Sequence, residues 1–540
     1  MVITMTKRFL TLDNVSYTLP DGRALFSQLN TQFDLQPTGL VGRNGVGKSL
    51  LARILAGQLA PTSGHRQASG PVRYLPQQLA PIAGSTVTDL AGVQPVLSAF
   101  ERIEQGSAAT EDFDALGEQW DIRQRLQTAL ANAGLPELGP NSPADALSGG
   151  EAMRVALAGA MLSAADFLIL DEPSNHLDRP SRQALIEQLQ QWSRGLIVIS
   201  HDRDLLNSLS RIVELSPSGL HSYGGNYAFY AACKASERQA AQQQLDHAKL
   251  ARKREEKTLR EQRDRQAHRQ ARGKQARQEG GQPKILLDAR QQRSENSSGK
   301  AQRQQAARQA ALRENVLAAQ QQLDRDADIT LHLPVSSATP PRRVLNLENL
   351  SLPFGACTTP ITLNLSGQQR VGVVGANGSG KSTLLKVIAG QLSPRGGHCH
   401  LTGELAYLDQ RLTTLDPHQS VLAQIRAANP VAPESELRMQ LAQLDLNAQK
   451  ITVPSGTLSG GEQLKAALAC LLYAALPPAL LLLDEPSNHL DLPSLAALET
   501  MLRGFHGSLM VVSHDEAFLS ALELTQRLSF EPPGIHLSAW

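Results

Sequence analysis

Aromatic residues are scarce in this 540-residue chain, at 4% of the composition. So few rings leave no stacking platform of the kind that reads unpaired bases, so any nucleic-acid recognition has to rest on shape and charge. Cysteine is rarer still. Cys233, Cys357, Cys399 and Cys470 stand far apart with no Cys-x-x-Cys pair, which excludes a sequence-local zinc knuckle and a disulfide framework and fits a reducing compartment. The first eight residues, Met-Val-Ile-Thr-Met-Thr-Lys-Arg, lack the apolar core of a signal peptide. One uncharged run, Ala466–Leu483, reaches eighteen residues, but Pro477 and Pro478 sit inside it and break it as a membrane helix. It reads instead as a buried helix to Leu476, a proline turn and a core strand Leu480–Leu483. The expectation is a soluble cytoplasmic protein.

Net charge is also small, +1, with 41% hydrophobic and 19% charged residues. That is ample for buried cores, and at ~150 residues per domain the length suggests three or four units. The near-zero average conceals a segregation. Residues 233–328 hold 22 Lys/Arg against 13 Asp/Glu, a balance of +9, so the remainder stands at −8. One cationic element is inserted between mildly acidic globular parts.

Four blocks occur twice, in one order. Gly42-Arg-Asn-Gly-Val-Gly-Lys-Ser49 returns as Gly375-Ala-Asn-Gly-Ser-Gly-Lys-Ser382, and Leu147-Ser-Gly-Gly-Glu151 as Leu458-Ser-Gly-Gly-Glu462. Asp-Glu-Pro-Ser-Asn-His-Leu-Asp spans 171–178 and 484–491; Ser-His-Asp spans 200–202 and 513–515. The offset is 333 residues for the first block, 311 for the second and 313 for the others, so the first copy carries about twenty extra residues, placed near 98–130. Such a repeat is a duplicated domain, not a short-period solenoid.

Short apolar runs at Thr38–Val41, Phe167–Leu170 and Leu196–Ile199, with counterparts at Arg370–Val374, Leu480–Leu483 and Leu509–Val512, predict buried strands. Helical sequence at Leu50–Leu59 and Thr383–Leu392 follows the glycine-rich loops, and at Ala152–Ser163 and Gln463–Ala475 follows Leu-Ser-Gly-Gly-Glu. Alternation of this kind predicts an α/β fold with a mostly parallel sheet covered on both faces.

The blocks carry phosphate chemistry. In a strand–loop–helix context, Gly42, Asn44, Gly45 and Gly47, and Gly375, Asn377, Gly378 and Gly380, form loops whose backbone N–H groups curl around phosphate oxygens. Lys48 and Lys381 are placed to reach the β- and γ-phosphates, and Ser49 and Ser382 to hold Mg²⁺. Thr383 adds a phosphate-side hydroxyl that Leu50 cannot supply. Asp171 and Asp484 end apolar strands and support the Mg²⁺ shell; Glu172 and Glu485 follow, placed to act on the attacking water. His201 and His514 are expected to hydrogen-bond the γ-phosphate, since sequence-adjacent Ser-His-Asp cannot form a protease triad. Ser148, Gly149 and Gly150, with Ser459, Gly460 and Gly461, sit at helix N-termini and form second anion sites.

Together these motifs resemble the ATP-binding cassette ATPases, and the twin Asp-Glu-Pro-Ser-Asn-His-Leu-Asp strings with a charged linker resemble the ABC-F subfamily. The resemblance covers residues 8–232 and 343–530. It implies two cassettes in tandem, 1–232 and 343–540, joined by 233–342, and pairing head to tail within one monomeric chain around ATP and Mg²⁺. Site one would pair Lys48 with Ser459, and site two Lys381 with Ser148. Gln77 and Gln410 match the family's metal- and water-contacting glutamines. Tyr17 is expected to stack on adenine in site one, with Phe354 the poorer counterpart in site two. Both copies keep Glu and His, which predicts two hydrolysing sites.

The linker reads as a helix from Ala231 to Arg277, a turn to Gly299 and a return helix Lys300–Leu323, supported by Leu245, Leu250, Leu259, Leu312, Val316 and Leu323. A solvated charged tether is the competing reading. The basic tip holds Arg269, Arg272, Lys274 and Arg277, then Lys284-Ile-Leu-Leu-Asp288, Arg290 and Arg293. It suits RNA phosphates or a ribonucleoprotein crevice. In the family this hairpin reaches from the ribosomal tRNA exit site toward the peptidyl-transferase centre, so the expected partner is the ribosome, through rRNA and tRNA. ATP binding would close the halves on it and hydrolysis release them. The rivals are a transporter's ATPase subunit, disfavoured by the fused halves and cationic linker, and a DNA-binding relative, disfavoured because the sequence stops at Trp540 without a C-terminal coiled coil. The extra residues at 98–130 read as a longer helical subdomain, or else a ribosome-touching arm.

Overall fold

The computed structural model describes residues 8–278, 306–319 and 343–540, except 78, 80, 81, 83, 176, 411, 445, 489, 532 and 533. Two compact units result, Met1–Tyr230 with Ile329–Trp540, and Ala231–Asp328.

In the first unit the duplicated sequence gives duplicated six-stranded sheets. The first runs Val72–Leu75, Phe167–Asp171, Gly195–Ile199, Thr38–Val41, Arg211–Ser216, Gly219–Tyr223, parallel except for the last pair. The second runs Leu405–Leu408, Leu480–Asp484, Ser508–Val512, Arg370–Gly375, Gln526–Glu531, Gly534–Ala539, with the same pattern. The central strands are apolar throughout because both faces are covered. Phe167 and Ile169 enter one core with Leu51 and Leu55 of the P-loop helix, while Leu168 and Leu170 enter another with Leu185 and Leu205.

Each half also carries a three-stranded antiparallel sheet, Ala24–Phe33, Leu10–Thr18, Ser63–Ala68, and Ile361–Leu365, Leu345–Ser351, Gly396–Leu401. The sequence reading passed over these sheets. Their signal is a two-residue alternation: Leu10 and Leu12, and Leu345 and Leu347, face inward between exposed or half-buried polar neighbours.

The strands match their predicted spans to within a residue at either end, but the helices shift. Those after the P-loops run Lys48–Leu55 and Lys381–Ile388, ending four residues earlier than expected. Gly57 and Gly390 adopt φ of +76° and +72°, the left-handed stop that follows a helix end. The helices after the Leu-Ser-Gly-Gly-Glu blocks run Gly149–Leu162 and Gly460–Leu472, starting three residues early because Ser148 and Ser459 cap them through Glu151 and Glu462. The uncharged run therefore splits into the end of one helix and the strand Leu480–Asp484, and no described helix is long and apolar enough to cross a membrane.

The extra residues of the first copy are helical. Val87–Ala91, Gln94–Glu104, Thr110–Leu116 and Ile122–Asn132 stand where the second copy has only Val421–Ala428 and Glu434–Gln443. Leu97, Ile122, Leu126 and Leu130 pack with Val155 of the helix that Ser148 caps, so the segment is helical and shares a core with the first half.

A helix runs Tyr227–Gln278, its first four residues in the first unit and the rest in the second, where residues 306–319 are also helical. It starts one turn before the expected Ala231, because the Asn226 side chain accepts the Phe229 N–H at 3.2 Å. Arg308 lies 3.8 Å from Glu255, and Leu245, Leu259 and Val316 are buried. Leu312 is half-buried, but Leu250 is exposed and supports nothing. Leu323, Gly280 and the tip residues from Lys284 to Arg293 lie outside the described residues, and the side chains of Arg269, Arg272, Lys274 and Arg277 are likewise not described.

Gly159 marks a tight crossing: a Cβ there would sit 2.0 Å from the carbonyl oxygen of Ala91. Gly159→Ala should force the two helices apart and destabilise the first half by about 1–3 kcal/mol, read as a lower unfolding midpoint in thermal denaturation.

Candidate nucleotide sites

Each P-loop leaves its strand, turns through glycines and enters a helix. Gly47 and Gly380 make the last step at φ +102° and +113°, where a side chain is strained. A Cβ on Gly47 would also meet Leu25 Cδ2 at 2.4 Å. The lysines that follow fold back across their loops. Lys48 Nζ donates to the carbonyls of Gly42 at 2.7 Å and Arg43 at 3.1 Å; Lys381 Nζ donates to Gly375 and Ala376, both at 2.8 Å. Burial lowers the pKa of both ammonium groups, opposed mainly by Glu172 at one site and Glu485 at the other. These are cations held at low solvation, ready to exchange weak carbonyl acceptors for an anionic one.

Asp171 and Asp484 sit at the ends of their strands, as the apolar runs dictate. Ser49 donates to Asp171, and Ser382 Oγ lies 3.0 Å from Asp484 Oδ1. Tyr74 donates to the other side of Asp171 at 3.0 Å, and Tyr407 approaches Asp484 at 3.5 Å. Among the described residues, no cluster of three His, Cys, Asp or Glu could hold a metal by itself. A serine hydroxyl beside a carboxylate nevertheless fits Mg²⁺, which takes one or two protein oxygens and completes its shell with phosphate and water.

The next residue turns away sharply. Glu172 and Glu485 have φ of +49° and +50°, a strained conformation repeated in both halves, while their N–H groups still bond Ile199 and Val512 carbonyls at 2.8 and 2.9 Å. The turn carries each carboxylate to its histidine, 3.5 Å from His201 and 3.5 Å from His514. Burial pushes Glu172 up to about 8, against the pull of Lys48, and Glu485 up to about 7, against Lys381 and Arg182. Burial drives His201 down to about 3 and His514 to about 4, so both rings are neutral at pH 7. Neither ring nitrogen of His201 has a hydrogen-bond partner within the protein. An orphaned buried imidazole of this kind wants a ligand atom.

The sites are composite. A cavity of about 510 Å³ gathers Asn44, Gly45, Gly47, Lys48, Ser49, Gln77, Asp171, Glu172 and His201 from the first half with Gly460, Ser487 and Asn488 from the second. A second, of about 440 Å³, gathers Asn377, Gly378, Gly380, Lys381, Ser382, Thr383, Gln410, Glu485 and His514 with Leu177 and Arg182 from the first half. Expected lining residues Tyr17, Ser148 and Ser459 lie elsewhere. Tyr17 does not line the first cavity; its ring packs 6.2 Å from Phe26 in the antiparallel sheet, and Leu19, Arg23 and Leu25 line the wall instead. Phe354, the weaker candidate, does line the second cavity and is exposed there. Nor do Ser148, Gly149 and Gly150, expected opposite Lys381, line that cavity. On the first side Gly460 does line the cavity, whereas Ser459 and Gly461 do not.

The seam explains the difference. Asp491 Oδ2 accepts the Asn44 N–H at 2.7 Å, whereas its counterpart Asp178 accepts the Asn377 N–H at 3.4 Å, so the halves meet more closely at site one. Sequence reasoning gave Asp178 and Asp491 no role. Their signal was present, as the last residue of an eight-residue string repeated without change.

A closed pair of P-loop sites, each completed by the opposite half, defines the class: an ATP-binding cassette ATPase with both cassettes in one chain. Residues 30–175 and 358–488 match the family described as ABC transporter. The chain is 31% identical over 530 residues to the tylosin resistance ATP-binding protein TlrC of Streptomyces fradiae, covering 93% of each. It is 31% identical over 538 residues to the energy-dependent translational throttle protein EttA of Mycobacterium tuberculosis, covering 93% of this chain and 88% of that protein. It is 29% identical to the mouse ATP-binding cassette sub-family F member 3 over 506 residues, covering 89% of this chain and 65% of that one. The chain belongs to the ABC-F subfamily and is an ATPase. Among solved structures, the archaeal ribosome recycling factor aABCE1 in complex with stalk protein aP1 superposes with a TM-score of 0.59 at 19% identity, covering 97% of this chain and 89% of that one, a likeness of fold.

Lys48→Ala and Lys381→Ala should each weaken ATP at their own site about 10- to 100-fold, the loss expected for a buried charge-assisted contact. Calorimetry should then count two nucleotides per wild-type chain and one per single variant.

Proposed function

We propose that this protein is a cytoplasmic ATPase that binds the ribosome with its halves closed on two ATP molecules and leaves on hydrolysis. The observation that carries the reading is the pair of composite cavities, each with a strained, buried glutamate beside a neutral histidine at the P-loop of its own half, and with residues of the other half in the wall. Such sites form fully only when the halves meet, so ATP occupancy and closure are one event. In each site the P-loop amides and lysine would hold the phosphates, and Ser49 with Asp171, and Ser382 with Asp484, would hold Mg²⁺, with Gln77 and Gln410 lining the same side. Bound there, Mg²⁺ would neutralise charge developing on the transferred phosphoryl group. Glu172 and Glu485 orient and deprotonate the attacking water, and His201 and His514, kept neutral by burial, donate one hydrogen bond to the γ-phosphate.

The ribosome as partner rests on other grounds. The names of relatives that align along nearly the whole chain refer to a translational throttle and to resistance against tylosin. The +9 balance of residues 233–328 supplies the electrostatics for a polyanionic partner. We assign the linker, residues 233–342, to contact near the tRNA exit and peptidyl-transferase region, in a monomer that takes no membrane subunit.

Glu172→Gln combined with Glu485→Gln should lower turnover about 10²- to 10⁴-fold, the range for loss of a general base, and trap the closed form. The double variant with ATP should then co-sediment with ribosomes, with a retention that falls as salt rises. Normal hydrolysis by that variant, or failure to co-sediment at low salt, would refute the proposal.

A further inference from the structure

Among the differences between the duplicated halves, one residue lies between the two sites. Aligned through the shared Asp-Glu-Pro-Ser-Asn-His-Leu-Asp string, Arg182 corresponds to Leu495. Arg182 lines both cavities, the first together with Leu495 itself. Its side chain is 14% exposed, with Nε 3.0 Å from Asp202 Oδ2 beside His201 of site one. Its Nη1 donates across the seam to the His514 carbonyl at 3.1 Å. The N–H of that same His514 bonds Glu485, and its ring Nε2 lies 3.1 Å from Asn377 Oδ1 in the second P-loop. One guanidinium thus reaches the histidine segments of both sites, as an ion-pair contact to Asp202 on one side and a hydrogen bond to the His514 carbonyl on the other.

We infer that Arg182 is a positioning residue that couples the two ATP sites in one direction, setting His514 and Glu485 of site two through the His514 carbonyl. Asp202 is also held independently of Arg182 through its other oxygen, since Oδ1 accepts the N–H groups of Asp204 at 3.0 Å and Leu205 at 3.2 Å. At site one the equivalent of Arg182 is Leu495, which has no donor to offer the His201 carbonyl. The bridge is therefore single, and the two sites are unequal by construction. This inference rests on the two-site reading above.

The test separates the sites. In a Glu172→Gln background only site two turns over, and in Glu485→Gln only site one. Arg182→Leu, which installs the second half's own residue, should lower the site-two kcat about 2- to 30-fold, the range of a coupling energy carried by one bridging residue. Its KM at site two should stay within twofold, and any loss of site-one turnover should be smaller than the loss at site two. Arg182→Lys, which keeps the charge but not the fork, should fall between wild type and Arg182→Leu at site two; it also stands in if the leucine variant does not fold. Equal losses at both sites, a loss at site one alone, a KM effect without a kcat effect, or no loss at either site would overturn the inference. Undiminished turnover in Glu172→Gln/Glu485→Gln would instead refute the assignment of the glutamates.

Discussion

The contact on which the molecule depends is the one between a P-loop of one half and the aspartate that closes the repeated string of the other. Asp491 receives the Asn44 N–H at 2.7 Å and Asp178 receives the Asn377 N–H at 3.4 Å. Each aspartate also caps its own helix by accepting from Ser494 or Ser181. It is therefore fixed locally before it reaches across, and the bond positions one whole cassette against the other. Everything that completes a site, including Gly460 at the first cavity and Leu177 and Arg182 at the second, arrives through that apposition.

The seam is polarised as well as paired. The first half presents Arg179 to Glu516 at 2.8 Å and Arg203 to Glu499 at 2.7 Å, and the second half answers with carboxylates rather than with the mirror-image cations. The residues equivalent to Arg179 and Arg203 are Leu492 and Glu516, and Leu492 is buried in a core formed by the first half. Complementary charges of this kind favour a first half meeting a second half over two like halves meeting, because like-charge juxtaposition is costly. Duplication supplied two equal cassettes, and the seam made them different.

Much of this was legible in order along the chain. Apolar runs of four to six residues could only be strands buried on both faces, and the glycine-rich loops and Asp-Glu ends fell where such strands require them. Helix ends were less legible, because Gly57 and Gly390 act through a left-handed turn that an apolar pattern does not register. The antiparallel sheets were missed because their alternation is short and broken by bulges at Leu12/Val15 and Leu347/Leu350. Tyr17 was a reasonable aromatic in a plausible place, but its ring is committed to Phe26, and no sequence pattern announces that commitment.

What the sequence determined by itself was the local inventory: two glycine-rich P-loops, two strand-end aspartates, two glutamate–histidine pairs and a cationic linker, because each depends on residue type at fixed local spacing. What only the tertiary structure decided was partnership. Asp178, Asp491 and Arg182 do their work across more than 190 residues of chain, and the close approach at site one against the looser one at site two has no local spacing at all. Bonds between distant segments are set by how two folded surfaces meet, and that geometry is a property of the packed chain rather than of any stretch within it.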